Sequence, residues 1–339
     1  MNSLSNWPLW LAGAVVLLVL ADLAVHLLYA LLLVRRFQLP PEFKVQPAPV
    51  DGPPFEPLKI PTTDGLFLAG GAYYPHDGHP IGVVVFCPET GGRFDTAENY
   101  LTSLIDAGFA VVSFSFRNQA PSDTLPGYRA THWVSNYEVT DVHAVLDFVG
   151  SQPQFAGLPV GLAGVSRGAG AALAAGATRP EVKGVWAQGA FSTQALSLHY
   201  SMTRIRPLVG DWGHFIPVWH IATTLWFVQR IAETQLHARL IRMEKYLPLW
   251  KGRSARFVCG SRDTYVPSVL AQQLCQKSGH APDEDCWVVQ GAKHNQERNA
   301  GPREYDSRLI RFFQQAMDRQ PVSAGPAGPH SRKSSSMTV

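Results

Sequence analysis

The chain has 339 residues, enough for one large α/β domain with a sizeable core or for two small ones. Hydrophobic residues make up 46% of it and charged residues 16%, a somewhat apolar balance for a soluble protein. A net charge of +3 with no aromatic-plus-basic patch excludes a nucleic-acid footprint, and the four cysteines, at 87, 259, 275 and 286, have neither disulfide-framework nor zinc-ligand spacing.

In chain order, Leu9–Val34 is apolar except for Asp22 and His26. Its 26 residues would reach ~39 Å as a helix, enough to cross a ~30 Å hydrocarbon core with tilt. Asp22 costs roughly 3 kcal/mol at mid-helix, and the eleven leucines at about −0.5 kcal/mol each outweigh it. Asp22 and His26 are four apart, share a helix face and can pair there, or that face can meet a partner helix. A secretory signal peptide is the rival reading. No basic residue precedes Trp10 and no small-residue cleavage site is evident before Arg35, so residues 8–34 read as a retained single-pass transmembrane helix. Arg35, Arg36 and Lys44 follow it, which by the positive-inside rule puts the C-terminal domain in the cytoplasm. Residues 35–57 are proline-rich and read as a semi-rigid spacer.

From residue 58 the pattern alternates. Leu66–Tyr74, Ile81–Cys87, Ala110–Phe116, Val160–Ala163, Val182–Ala187, Ala255–Gly260 and Asp285–Gln290 read as strands. Several are continuous apolar runs, as strands buried on both faces would be. Thr96–Ala107, Trp133–Val149, the stretch after Ser166, Ser268–Lys277 and Tyr305–Met317 read as helices. The alternation predicts an α/β fold with a doubly wound, mainly parallel sheet over 58–318. It is interrupted at 191–250 by an aromatic-rich insert. Two readings compete for the insert, a helical cap over the active site and a second membrane-contacting segment; His214, Pro217, His220 and Gln229 argue against a full span and favour the cap. Residues 319–339 are rich in Gly, Pro and Ser and read as a disordered tail. Cys87 and Cys259 end apolar β-like runs and read as buried free thiols.

The organising stretch is Leu158–Ala175, where an apolar run meets Gly164-Val165-Ser166-Arg167-Gly168 and then a run of small residues. This fits G-x-S-x-G, a strand, a sharp turn and a closely packed helix, with the Ser166 hydroxyl projecting from the sheet edge. An ordinary Gly-rich strand-to-helix turn would look the same over five residues. Nucleophilic serine chemistry also needs a base and a group that orients the base. Loops leaving parallel strands converge at one sheet edge, so the partners should directly follow strands. Asp263 follows Ala255–Gly260 and His294 follows Asp285–Gln290. The duller readings are a turn aspartate and a surface histidine; none of the other eleven histidines has a matching strand-end context.

Taken together, Gly-Val-Ser-Arg-Gly at 164–168, Gly-Ser-Arg-Asp-Thr-Tyr-Val-Pro at 260–267 and Gly-Ala-Lys-His at 291–294, in that order, make residues 58–318 resemble the α/β-hydrolase family. The resemblance implies Ser166 as nucleophile, His294 as general base and then acid, and Asp263 as the group that fixes the imidazole tautomer. It also implies an oxyanion hole of backbone N–H groups. Arg167 supplies one, and Glu89 or Thr90 the other, since Pro88 has none. This loop, Pro88-Glu89-Thr90-Gly91-Gly92, departs from the family's frequent His-Gly-x. The Glu89 carboxylate must then point away or bind another group, such as Arg117 or a substrate amine.

The resulting expectation is a membrane-anchored serine hydrolase acting on an acyl ester, thioester or amide, with no cofactor and no metal. The aromatic insert hints at a lipophilic acyl group. The alternative is a catalytically silent hydrolase-fold protein that binds or scaffolds at the membrane.

Overall fold

The computed structural model describes residues 7–39, 45–205, 210, 212, 213 and 215–318. Lys44, the start of the proline-rich stretch and the expected tail at 319–339 lie outside the described residues. The chain opens with a single helix, α1 (Trp7–Gln38), long and apolar enough to cross a membrane, with a mean hydropathy of 2.5 over its most apolar window. There follow β1 (Glu56–Pro61), β2 (Phe67–Tyr73), β3 (Val83–Cys87), α2 (Glu98–Asp106), β4 (Ala110–Phe114), α3 (Asn136–Ser151), β5 (Val160–Val165), α4 (Arg167–Ala177) and β6 (Val182–Gln188). After β6 come α5 (Thr193–Tyr200) and α6 (Val218–Leu236), then β7 (Ser254–Gly260), α7 (Ser268–Lys277), α8 (Pro282–Asp285), β8 (Cys286–Val289), α9 (Glu297–Ala300) and α10 (Pro302–Asp318).

The eight strands form one sheet in the order β1-β2-β4-β3-β5-β6-β7-β8. β3 through β8 run parallel, and β2 is antiparallel to both β1 and β4. The sheet is therefore mixed but mainly parallel, and it is doubly wound. α3, α4 and α7 cover one face, and α2 and α10 the other, each over its own apolar layer. The central strands are apolar throughout because both faces are covered: β3 and β4 are buried at every position.

β1 is the strand that sequence periodicity missed. Pro57 and Pro61 stand in it, and as an edge strand it needs few ladder donors. α3 begins at Asn136 rather than Trp133 because Ser135 caps it, in a capping box with Glu138.

The proline-rich segment is no free spacer. α1 runs on to Gln38, and residues 45–55 lie along the body. Asn99 Nδ2 donates to the carbonyls of Gln46 and Pro47, Gln46 Nε2 donates to the Asn295 carbonyl, and Phe55 packs on Tyr73 and Phe94. A proline-rich chain has few N–H groups of its own to satisfy, so its carbonyls are free to be read by such side chains.

The insert is helical, and α6 packs lengthwise on α1. His26 Nδ1 lies 2.7 Å from Thr224 Oγ1, and Gln38 Nε2 donates to Gln235 Oε1 at 2.6 Å. Both helices run in the same direction, since residue numbers rise together along the contact. Phe37 stacks on Trp133, whose indole N–H donates to the Phe37 carbonyl. Trp212, Phe215, Trp219 and Trp226 of the insert are exposed.

α4 is buried along its whole length. Its alanines and glycines let it lie close on the sheet, and Gly168 is the tightest point. A Cβ there would clash with the carbonyl oxygens of Cys87 and Pro88. Gly168→Ala should therefore destabilise the protein by about 1–3 kcal/mol, because backbone cannot give way as a side chain would. Gly150→Ala, at an exposed position near the end of α3 with nothing near the added methyl, should stabilise it by about 0.5–1 kcal/mol. Thermal unfolding of the two variants in the same detergent checks the opposite signs.

Candidate active site

β5 lies between β3 and β6, with Gly164 opposite Cys87 on one side and Ala187 on the other. The turn that leaves β5 therefore opens between the loop after β3 and the end of β6. Ser166 stands in it at φ 52°, ψ −118°, a conformation a non-glycine residue adopts only where its surroundings enforce it. Two constraints do so here. The Ser166 N–H donates to the Gln188 carbonyl at 2.8 Å, and Gly164 and Gly168 admit the close return of the chain; a Cβ at Gly164 would lie 2.6 Å from the Ala169 Cα.

The structure brings the three predicted side chains together at this edge. His294 Nε2 lies 3.0 Å from Ser166 Oγ, and His294 Nδ1 lies 2.6 Å from Asp263 Oδ2. The other Asp263 oxygen accepts from the N–H groups of Tyr265 and Val266, each at 2.8 Å. A carboxylate held by two N–H donors acts as an acceptor, so the Nδ1–H of His294 donates to it and Nε2 turns its lone pair to the serine hydroxyl. All three residues are buried. Such a chain can withdraw a hydroxyl proton and stabilise the imidazolium that results.

The clash that Gly168 avoids places the Cys87 and Pro88 carbonyls directly against the start of α4, so the loop that begins with Glu89 and Thr90 leaves β3 next to the helix that Arg167 opens. The N–H groups of Glu89 and Thr90 donate to no backbone carbonyl among the described residues. The Glu89 carboxyl is buried and accepts from the Tyr100 hydroxyl at 3.2 Å through Oε1, while Oε2 has no hydrogen-bond partner among the described residues. Burial pushes its pKa up to about 7, against the opposing pull of its own backbone, Tyr100 and Arg167.

Arg117 does not meet Glu89. Its Nε donates to Asp141 Oδ1 at 2.8 Å and its Nη1 to Asp64 Oδ2 at 2.6 Å. Burial opposes its charge, but these bonds and ion pairs outweigh that and raise its pKa. The Arg167 side chain points into the body as well, to the Thr131 carbonyl at 2.9 Å and Gln119 Oε1 at 2.6 Å. Arg167 thus fastens the 117–131 segment to the elbow, and Arg117 fastens its start to α3 and to the turn between β1 and β2. A cavity of about 780 Å³ between α5, α6 and α7 includes Leu198, Leu225, Trp226 and Leu270 in its lining and none of Ser166, Asp263 or His294.

Sequence reasoning missed a buried network under the site. Tyr305 Oη donates to Gln188 Oε1 at 2.6 Å and accepts from the Trp186 indole; Gln188 Nε2 donates to Glu297 Oε2 at 2.6 Å. Gln188 is also the residue whose carbonyl holds the Ser166 N–H, so this network supports the elbow from below. Glu297, three residues past His294, reads in sequence as an acid in a helix's first turn; only burial reveals it. Burial pushes its pKa up to about 8, helped by the Asp263 charge and opposed by hydrogen bonds from backbone and Gln188.

The folded state therefore holds a proton on Glu297 that the unfolded state loses. Between pH 4.5 and about 8 the folded chain binds more protons, so this group's contribution to stability falls as pH rises through that window. Glu297→Gln mimics the protonated acid. Its unfolding free energy should match the wild type at pH 5 and exceed it at pH 9, by on the order of a few kcal/mol, with a higher Tm to match. Thermal unfolding across pH measures the difference.

Comparisons with known proteins bear on the same region. The model of the alpha/beta hydrolase family matches residues 84–304. A search of curated proteins finds no match. Among solved structures, the chain is similar to the Pyrococcus furiosus esterase Pf2001, with TM-score 0.59 and 20% identity over 82% of this chain and 97% of that one. It is also similar to the alpha/beta hydrolase GrgF from Penicillium sp. sh18 (TM-score 0.59, 15% identity, 78% of this chain and 99% of that one). A third is Est1E from Butyrivibrio proteoclasticus with ferulic acid bound (TM-score 0.55, 15% identity, 77% and 100%). With most of the chain covered by that family model, this protein belongs to the alpha/beta hydrolase family.

Proposed function

We propose that the protein is a membrane-anchored serine hydrolase that cleaves acyl esters through an acyl-enzyme. The observation that carries this reading is the unbroken chain from Asp263 through His294 to Ser166, at 2.6 and 3.0 Å, ending on a serine in a strained turn. Ser166 Oγ attacks the acyl carbonyl as His294 Nε2 takes its proton. The same imidazole then protonates the leaving group, and water releases the acyl group by the reverse sequence. Asp263 holds the tautomer and stabilises the charged ring. The oxyanion is received by the Arg167 N–H and by that of Glu89 or Thr90.

The length and apolarity of α1 support anchoring, and Arg35 and Arg36 at its C-terminal end support a cytoplasmic body. The exposed Trp212, Phe215, Trp219 and Trp226 favour a lipophilic acyl group met at the bilayer surface, with the insert as a cap beside the site.

A fluorophosphonate probe should label the wild type and leave Ser166→Ala unlabelled. kcat on the best p-nitrophenyl ester should fall by a factor on the order of 10⁴ or more in that variant. Folded wild-type protein that takes no label would leave the scaffold reading instead. Across p-nitrophenyl esters of rising chain length, kcat/KM should climb beyond the shortest acyl groups. A preference for acetate would remove the lipophilic assignment and keep the hydrolase.

A further inference from the structure

The polar face of α1 is where the structure goes beyond the hydrolase site. Asp22 and His26 lie one turn apart on α1, and α6 brings His220 against them. His26 Nε2 is 3.4 Å from Asp22 Oδ2, and His220 Nδ1 is 3.8 Å from Asp22 Oδ1. One ligand-type atom from each residue lies within 4.8 Å of the other two. The sequence hid this cluster because His220 comes from an insert far along the chain.

The setting of His26 makes the cluster more than a set of neighbours. Its Nδ1 lies 2.7 Å from the Thr224 hydroxyl, which fixes the ring with Nε2 turned toward Asp22. Nε2 is buried, on a residue 1% exposed, and makes no hydrogen bond among the described residues; it stands 3.4 Å from the Asp22 carboxylate. The His220 ring lies 4.1 Å from that of His26. A divalent metal satisfies all three groups at once, with both imidazoles neutral.

We propose that Asp22, His26 and His220 bind a divalent first-row transition metal, of which zinc is the type, and that the ion clips the insert to the N-terminal helix. Two imidazoles and one carboxylate suit such a metal, and hydroxyl support of the distal imidazole nitrogen is what a ligating histidine ordinarily has. Zinc at about 2.0–2.2 Å from each ligand sets them roughly 3.4 Å apart. The Asp22–His26 pair is already at that separation. His220, partly exposed in the first turn of α6, has the room to close the remainder.

The test uses tag-free full-length protein in detergent, stripped with EDTA and titrated with Zn²⁺ against a chromophoric chelator. One Zn²⁺ per chain should bind, with a dissociation constant below about 1 µM. His220→Ala and Asp22→Asn should each weaken binding by 100-fold or more, and Thr224→Val by roughly 10–100-fold, as loss of a supporting hydrogen bond does. Bound Zn²⁺ should raise the Tm of the wild type and not of His220→Ala, with circular dichroism showing that the variants fold. Absence of stoichiometric binding by the wild type overturns the proposal, as does binding that His220→Ala and Asp22→Asn leave unchanged. Neither result touches Ser166, so the hydrolase reading stands or falls separately.

Discussion

The fold around the site depends on how closely helix α4 can approach strands β3 and β5. Gly168 meets the carbonyl oxygens at the end of β3 with no room for a methyl group, and Gly164 meets Ala169 in the same way. That approach forces the chain to turn within one residue, and Ser166 absorbs the turn in its backbone. The strain persists because the surroundings over-determine it: a hydrogen bond from the Ser166 N–H to the Gln188 carbonyl, a fully buried helix behind and a parallel strand on either side. The loops after β7 and β8, which carry Asp263 and His294, then reach the serine along the same edge of the sheet.

A second layer of order is polar. Arg117 and Arg167 are among the largest fully buried side chains, and each is held by several acceptors. A buried guanidinium without partners would cost far more than the fold can spare, so these networks must form whole. Arg167 fixes Gln119 and Thr131 against the elbow, and Arg117 ties the start of the same segment to Asp64 and Asp141. On the other side the Trp186–Tyr305–Gln188–Glu297 network does the same for the loop bearing His294. The site is thus braced from both sides by groups that carry no chemistry of their own.

Much of this was legible in residue order. Continuous apolar runs marked the central strands, since a strand covered on both faces has no polar side to show. Glycine spacing marked the elbow, and strand ends pointed to Asp263 and His294, which the structure places beside Ser166. What stayed hidden has common causes. β1 lacks periodicity because its prolines suit an edge. Glu297 and Gln188 look like surface residues until burial is known. The proline-rich stretch looked free because its partners, Asn99 and Asn295, are side-chain and carbonyl contacts from distant loops. The apolar face of α1 also concealed that its other face docks on α6.

That docking sets a dimension. From Trp7 to Val25 every residue of α1 is exposed, and from His26 onward it is progressively gripped by the body. The free part is about 28 Å long at 1.5 Å per residue, close to the thickness of a hydrocarbon layer. In a bilayer crossed by this helix, the headgroup level would fall at the start of α6, beside Trp219. No slack would remain for the body to swing on a stalk. It would ride at a fixed height like a float on a short keel, and a thicker or thinner membrane would tilt it or draw its tryptophans in.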